Sequence, residues 1–245
     1  MFTLSMGQTT SAQRLEVSLD NRPVAYPHIK VCGLTRPDEA QACAEAGAHA
    51  IGLVFYPPSP RYVTDATARD ITEALPDRVV PVGVFVDESY GDVMKRVVRC
   101  GLKAVQLHGN ESPEMVDRLM REDVYVIKTL FHGKSPALAH AARFRPCAYL
   151  AECGGGKLPG GNARTWDWRL AKTIGREYPV ILAGGLSPDN VGEALAIARP
   201  DAVDVSSGVE SSPGRKDIHK VQAFVGCIAA RTGSENFQRQ RSVFE

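Results

Sequence analysis

The sequence predicts an α/β chain that closes as a single-domain (β/α)8 TIM barrel, and three observations lead there. Short β-branched or apolar runs alternate with longer stretches of helical period. Eight such pairs fit between residues 28 and 231, with no break in composition that would mark a linker. The runs are too far apart for hairpins, so consecutive strands must lie parallel with helical crossovers between them. A doubly wound open sheet is the competing topology; eight successive units match the barrel.

The strand runs are HIKVC (28–32), AIGLVF (50–55), VVPVGVFV (79–86), KAVQL (103–107), VYVIKTL (124–130), AYLAE (148–152), PVILA (179–183) and AVDVS (202–206). Between and after them lie RPDEAQACAEAG, TARDITEAL, SYGDVMKRVVRCG, SPEMVDRLMRE, SPALAHAARF, WRLAKTIGRE, SPDNVGEALAIA and DIHKVQAFVGCIAA, read as helices. Several of these open with Ser, Asp or Pro, the residues that suit a helix's first turn. Residues 1–27 read as a polar N-terminal extension, 28–231 as the barrel and 232–245 as a C-terminal tail.

Composition narrows the function. Lys+Arg 29 against Asp+Glu 28 leaves a formal net charge of +1, which offers no field to gather nucleic acid or an anionic membrane. No apolar run approaches the ~20 residues of a membrane span. The start MFTLSMGQTTSAQRLEV lacks the basic and apolar regions of a secretory signal, so a cytoplasmic protein is expected. Cys32, Cys43, Cys100, Cys147, Cys153 and Cys227 form no CxxC pair and no His-Cys cluster of zinc type, so reduced thiols and no metal are expected. Nothing in the sequence speaks to oligomeric state or protein partners.

In this architecture the active site lies at the C-terminal strand ends. The first strand ends KVCGLTR, with Lys30 and Cys32 on one face. Cys32 is either a base or nucleophile, or a small buried hydrophobe. An inward Lys30 needs a counter-charge, and Asp204 on the eighth strand, which closes against the first, can supply it. FYPPSPRYV carries Arg61, a side chain suited to gripping a carboxylate or phosphate, or else a solvated loop residue. VQLHGNES puts Gln106 and His108 on one face, with His108 either binding substrate or capping the barrel mouth. AGGLSPDNV and DVSSGVESSPGRKD follow strands seven and eight. Their Gly184, Gly185, Ser206, Ser207 and Gly208 allow backbone N–H groups to approach an anion, at the place where barrels commonly hold phosphate.

Taken together, KVCGLTR, GLVFYPPSPRYV, PVGVFVDE, VQLHGNES, AGGLSPDNV and DVSSGVESSPGRKD closely resemble the phosphoribosylanthranilate isomerases of tryptophan biosynthesis, from about His28 to about Arg231. The resemblance implies a cofactor-free barrel that converts N-(5'-phosphoribosyl)anthranilate into a deoxyribulose phosphate by Amadori rearrangement. A general acid protonates the furanose oxygen and a general base removes the C2' proton. By the same resemblance Cys32 is the base and Arg61 lies near the anthranilate carboxylate. Gln106, His108 and Asp204 are expected against the substrate, and Gly184, Gly185, Ser206, Ser207 and Gly208 against its phosphate. The related histidine-pathway isomerase is disfavoured because its position matching Cys32 resembles an Asp.

The sixth strand departs from the family. CAYLAECGGG ends its apolar run in Glu152 where the family shows an Asp as general acid. The loop beyond reads Gly160-Gly161-Asn162-Ala163 instead of a GGTG type. Glu152 is expected to serve as the acid with a stem one methylene longer, whereas Asp167 is expected to cap the following helix. Two other readings compete: a diverged paralogue acting on another phosphorylated sugar, and a binder of phospholigands without turnover.

Overall fold

The computed structural model describes residues 27–154, 165–234, 241, 243 and 244. The N-terminal extension up to residue 26 and the Gly160-Gly161-Asn162-Ala163 loop lie outside the described residues.

Eight parallel strands close into a barrel: β1 (His28–Cys32), β2 (Ala50–Val54), β3 (Val80–Phe85), β4 (Ala104–Leu107), β5 (Tyr125–His132), β6 (Ala148–Cys153), β7 (Val180–Leu182) and β8 (Ala202–Val205). Each expected strand run is present, trimmed or extended by a residue or two. Closure is made by β1 on β8, with Lys30 directly opposite Asp204 in the ladder. The helices are α1 (Pro37–Glu45), α2 (Asp65–Ala74), α3 (Tyr90–Cys100), α4 (Pro113–Leu119), α5 (Arg169–Gly175), α6 (Val191–Ala198) and α7 (Ile218–Ser234). Thr64, Ser89 and Ser112 cap α2, α3 and α4 by accepting the N–H three residues on, as their sequence positions suggest.

One expected helix is different. SPALAHAARF forms only a 3-10 turn, Leu138–Arg143, instead of an α-helix. It lies between Pro136 and the Arg145-Pro146 pair, and Pro146 disfavours helical backbone at Arg145. The Tyr149 hydroxyl, buried in β6, donates to the carbonyls of Ala141 (2.6 Å) and Phe144 (2.9 Å) and takes up its closing groups. After β8 the chain adds a short hairpin, β9 (Glu210–Ser212) and β10 (Arg215–Lys216), which carries two of the site's charges.

The lower barrel interior shows a layer whose composition alternates around the ring. The even strands contribute Ala50, Ala104, Ala148 and Ala202, while β3, β5 and β7 contribute Val82, Ile127 and Ile181. Alternating small and large side chains is how such a layer interdigitates. Val243 and Phe244 from the C-terminal tail belong to this same cluster and are buried in it. Arg241 fixes their approach: its N–H donates to Asp201 and its guanidinium to the carbonyls of Gly175 and Arg176. The tail is polar in composition, and its two apolar residues near the end are the ones the barrel takes in. Phe244→Ala is expected to lower the unfolding free energy by about 2–3 kcal/mol in urea titrations. The opposite pole of the barrel should keep its activity unchanged.

Candidate active site

At the C-terminal pole, Cys32 and Glu152 stand at the ends of β1 and β6, His108 just beyond β4 and Arg61 in the loop after β2, each more than nine-tenths buried. The thiol of Cys32 lies over Gly52 of the neighbouring strand, where an added Cβ would come within 2.6 Å of the sulfur. A side chain at position 52 would therefore displace the thiol. Burial pushes the Cys32 thiol above its ordinary value, against the opposing pull of Lys30 and Lys216. In the free protein Cys32 is thus mainly a thiol, and these two cations favour its thiolate when it forms.

Lys30, fully buried, donates to Asp204 at 2.8 Å, the partner expected from the closure of strand eight on strand one. Burial alone would lower Lys30, but Asp204 and then Cys32 outweigh it and hold the ammonium charged.

Arg61 is not a free loop arginine. Its Nε and Nη2 donate to the two carboxylate oxygens of Glu210 at 2.8 and 2.7 Å, a fork-to-fork pair. Lys216 donates to the same carboxylate at 2.7 Å and to the Ser206 carbonyl at 3.3 Å. Glu210 is held below its usual range: burial would raise it, but Arg61 and Lys216 prevail. Burial lowers Arg61, yet Glu210 raises it overall, with further contributions from Cys32 and Glu152. The Arg61 stem packs over Gly33, the neighbour of Cys32, where an added Cβ would come within 2.4 Å of its Cδ. Glu210 and Lys216 escaped the sequence reading, although the E and K of GVESSPGRKD were the available signal.

Glu152 lies in β6, and its Oε2 is 3.1 Å from Nε2 of His108. Nδ1 of that ring meets the Gln106 amide nitrogen at 2.8 Å and the Thr129 hydroxyl at 3.0 Å. Gln106 was expected to touch substrate; it is 1% exposed and its amide goes to His108. Thr129 was not anticipated. Asp167, expected to cap the following helix, accepts the Arg169 N–H and pairs with its guanidinium, whereas the N-cap position of α5 is Trp168, which makes no side-chain cap bond.

The two glycine-bearing loops meet each other. Gly184 and Gly185 have left-handed backbone, with φ of 89° and 69°. A Cβ at Gly184 would press on Trp166 Nε1 and Glu152 Cγ, at 3.1 and 3.2 Å. One at Gly208 would fall 1.9 Å from the Leu186 carbonyl, so the seventh and eighth loops can only pack this closely around glycine. Ser206 donates to the Cys32 carbonyl, and Ser207 begins the 3-10 turn that contains Gly208. These loops and the end of β1 thus form one continuous wall.

A buried thiol, a carboxyl group hydrogen-bonded to an imidazole and a glycine-lined wall at one pole define a (β/α)8 barrel laid out for proton-transfer chemistry. The family model for N-(5'-phosphoribosyl)anthranilate isomerase matches residues 29–226, and the chain belongs to that family. The isomerase of Desulfatibacillum aliphaticivorans is 52% identical over 216 residues, covering 88% of this chain and 98% of that one. The crystal structure of the Thermotoga maritima isomerase superposes with a TM-score of 0.77 at 36% identity, covering 83% of this chain and 99% of that one. The Thermus thermophilus isomerase gives 0.75 at 37% identity, with 83% and 98% covered. A further isomerase structure, with a TM-score of 0.74 and 36% identity, is a complex with reduced 1-(o-carboxyphenylamino)-1-deoxyribulose 5-phosphate; 83% of this chain and 99% of that one are covered. No helix among the described residues is long and apolar enough to cross a membrane.

The charge cluster yields a prediction. Glu210→Gln leaves Arg61 and Lys216 as two buried cations without their shared anion. Stability in a denaturant titration should fall by about 3–5 kcal/mol, well beyond the effect of losing one exposed ion pair.

Proposed function

We propose that the protein is a phosphoribosylanthranilate isomerase that works in the cytoplasm, with Cys32 as general base and Glu152 as general acid. The observation that carries this reading is that Cys32 and Glu152 stand buried at the C-terminal ends of β1 and β6, in a barrel spanned by the family model. A related isomerase has been crystallised with a reduced deoxyribulose phosphate bearing a carboxyphenylamino group. The same ligand class suits the mouth described above.

The steps follow from the groups present. Glu152 gives its proton to the furanose ring oxygen as the C1'–O bond breaks, and the anthranilate nitrogen lone pair forms the iminium. The Cys32 thiolate then takes the C2' proton, and the electrons of that C–H bond move into the enol-amine, which tautomerises to the ketone. No atoms are gained or lost. Lys30 and Lys216 stabilise the thiolate, because charge in a buried site is poorly screened. The Nη1 end of Arg61, left over by the grip of Glu210, faces the anthranilate carboxylate, and Asp204, paired with Lys30, meets another part of the substrate. Gly184, Gly185, Ser206, Ser207 and Gly208 enclose the phosphate. Two proton-transfer groups suffice for this chemistry, and the reading uses no cofactor.

The test is steady-state turnover of enzymatically generated phosphoribosylanthranilate, followed by loss of anthranilate fluorescence. A kcat/KM of at least about 10⁴ M⁻¹s⁻¹ is expected. Cys32→Ala and Glu152→Gln should each lower kcat by roughly 10²–10⁴-fold with the fold intact. A folded wild-type protein without turnover would reject the reading, as would a fully active Cys32→Ala.

A further inference from the structure

Glu152 does not stand alone at the mouth, and the group it touches has a defined donor pattern. Three hydrogen bonds run around the barrel interior from β4 through β5 to β6, linking Gln106, His108, Thr129 and Glu152. All four residues are more than nine-tenths buried, and Gln106 and Thr129 are almost completely enclosed. The imidazole is also braced edge-on by Phe131, with ring centroids 5.4 Å apart and planes at 85°.

The Gln106 amide nitrogen lies 2.8 Å from Nδ1 of His108 and the Thr129 hydroxyl 3.0 Å, and both can donate to a ring whose Nδ1 is the acceptor. In that tautomer the ring's proton sits on Nε2, which lies 3.1 Å from Oε2 of Glu152, within reach to donate to it. With Oε2 occupied by a donor, the carboxyl proton has one place left, Oε1. We propose that His108 is a positioning residue for the rearrangement, one that keeps the proton of Glu152 on Oε1 and stabilises the carboxylate left after the proton departs. This rests on Glu152 being the general acid, as read above.

The stem of Glu152 is held as firmly as its head. Its Cγ lies against Gly184, where even a Cβ would come within 3.2 Å, and Trp166 closes over the same glycine by donating to the Ala183 carbonyl at 2.8 Å. The longer side chain therefore has one path across the mouth, with His108 at its end. In the acid step the Oε1–H bond breaks, the proton goes to the ring oxygen and its electron pair stays on Glu152. The new negative charge is then shared with an N–H already in place, which needs no reorganisation. The ring itself neither gains nor loses a proton.

A histidine that bound substrate, or merely filled the mouth, would answer differently to substitution. Steady-state kinetics should be measured for His108→Ala, His108→Gln and His108→Asn, each in the wild-type and Glu152→Gln backgrounds. Gln can present an amide N–H near the place of Nε2, while the shorter Asn cannot. His108→Ala is expected to lower kcat about 10- to 100-fold, the worth of a hydrogen bond to a charged group, with KM changed less than about threefold. His108→Gln should recover most of that loss and His108→Asn should not. In the Glu152→Gln background, His108→Ala should add less than about twofold, since residues acting as one unit are not additive. The proposal is overturned if the loss falls on KM, if His108→Gln is no better than His108→Asn, or if the His108→Ala factor persists undiminished without the Glu152 carboxyl. Should His108→Ala fail to fold, the Gln and Asn variants carry the comparison alone. A Glu152→Gln enzyme with full activity would instead remove the acid assignment, a separate failure read from that single variant.

Discussion

The mouth of this barrel holds ammonium and guanidinium groups where water scarcely reaches, and such charges persist only if a counter-charge is built beside each one. Lys30 meets Asp204 across the seam that closes the barrel. Lys128 meets Glu111 at 2.6 Å beneath the loop after β4. Arg61 and Lys216 share Glu210. Lys30–Asp204 and Arg61–Glu210 join segments distant in sequence, so neutralising these charges also sets the spacing of the strand ends. Glu111 shows the coupling well. While holding Lys128 it also accepts the N–H groups of Asp87 and Gly109, and so ties the loop after β3 to the loop that carries His108. The side chains at the mouth inherit their positions from this frame.

Much of the architecture was legible because barrel strands buried on both sides read as apolar runs of the right length. Lys30 and Asp204 were legible as partners because a buried lysine must be paired and the eighth strand must lie beside the first. Other features depended on tertiary contacts that leave no local trace. The turn after β5 has a helix-forming composition, but flanking prolines and the Tyr149 hydroxyl make it 3-10. Val243 and Phe244 sit in a polar tail, and their burial comes from the barrel residues they meet, with Phe244 against the rings of His28 and Tyr125.

Site residues divide along the same line. Cys32, Arg61, His108 and Glu152 could be picked out because a strand end is a readable position. Their partners could not, since nothing in the sequence says that Glu210 rather than a ligand takes the Nε edge of Arg61, or that Gln106 faces a histidine. Local spacing identifies which side chains reach the mouth; only the closed barrel decides which of them touch.

That distinction bears most on Glu152, where the family pattern has the shorter Asp. The neighbours of Glu152 are fitted to a glutamate: Gly184 leaves room for Cγ, and His108 meets the carboxyl group at the end of the longer stem. The most direct measurement is kcat for Glu152→Asp. If the mouth is built around the glutamate, the aspartate cannot span from β6 to both His108 and the ring oxygen. A displacement of ~1 Å then lowers kcat on the order of a hundredfold. An aspartate variant that matches or exceeds the wild-type kcat would contradict the account, because Glu152 would then be a tolerated substitution rather than the residue around which the mouth is arranged.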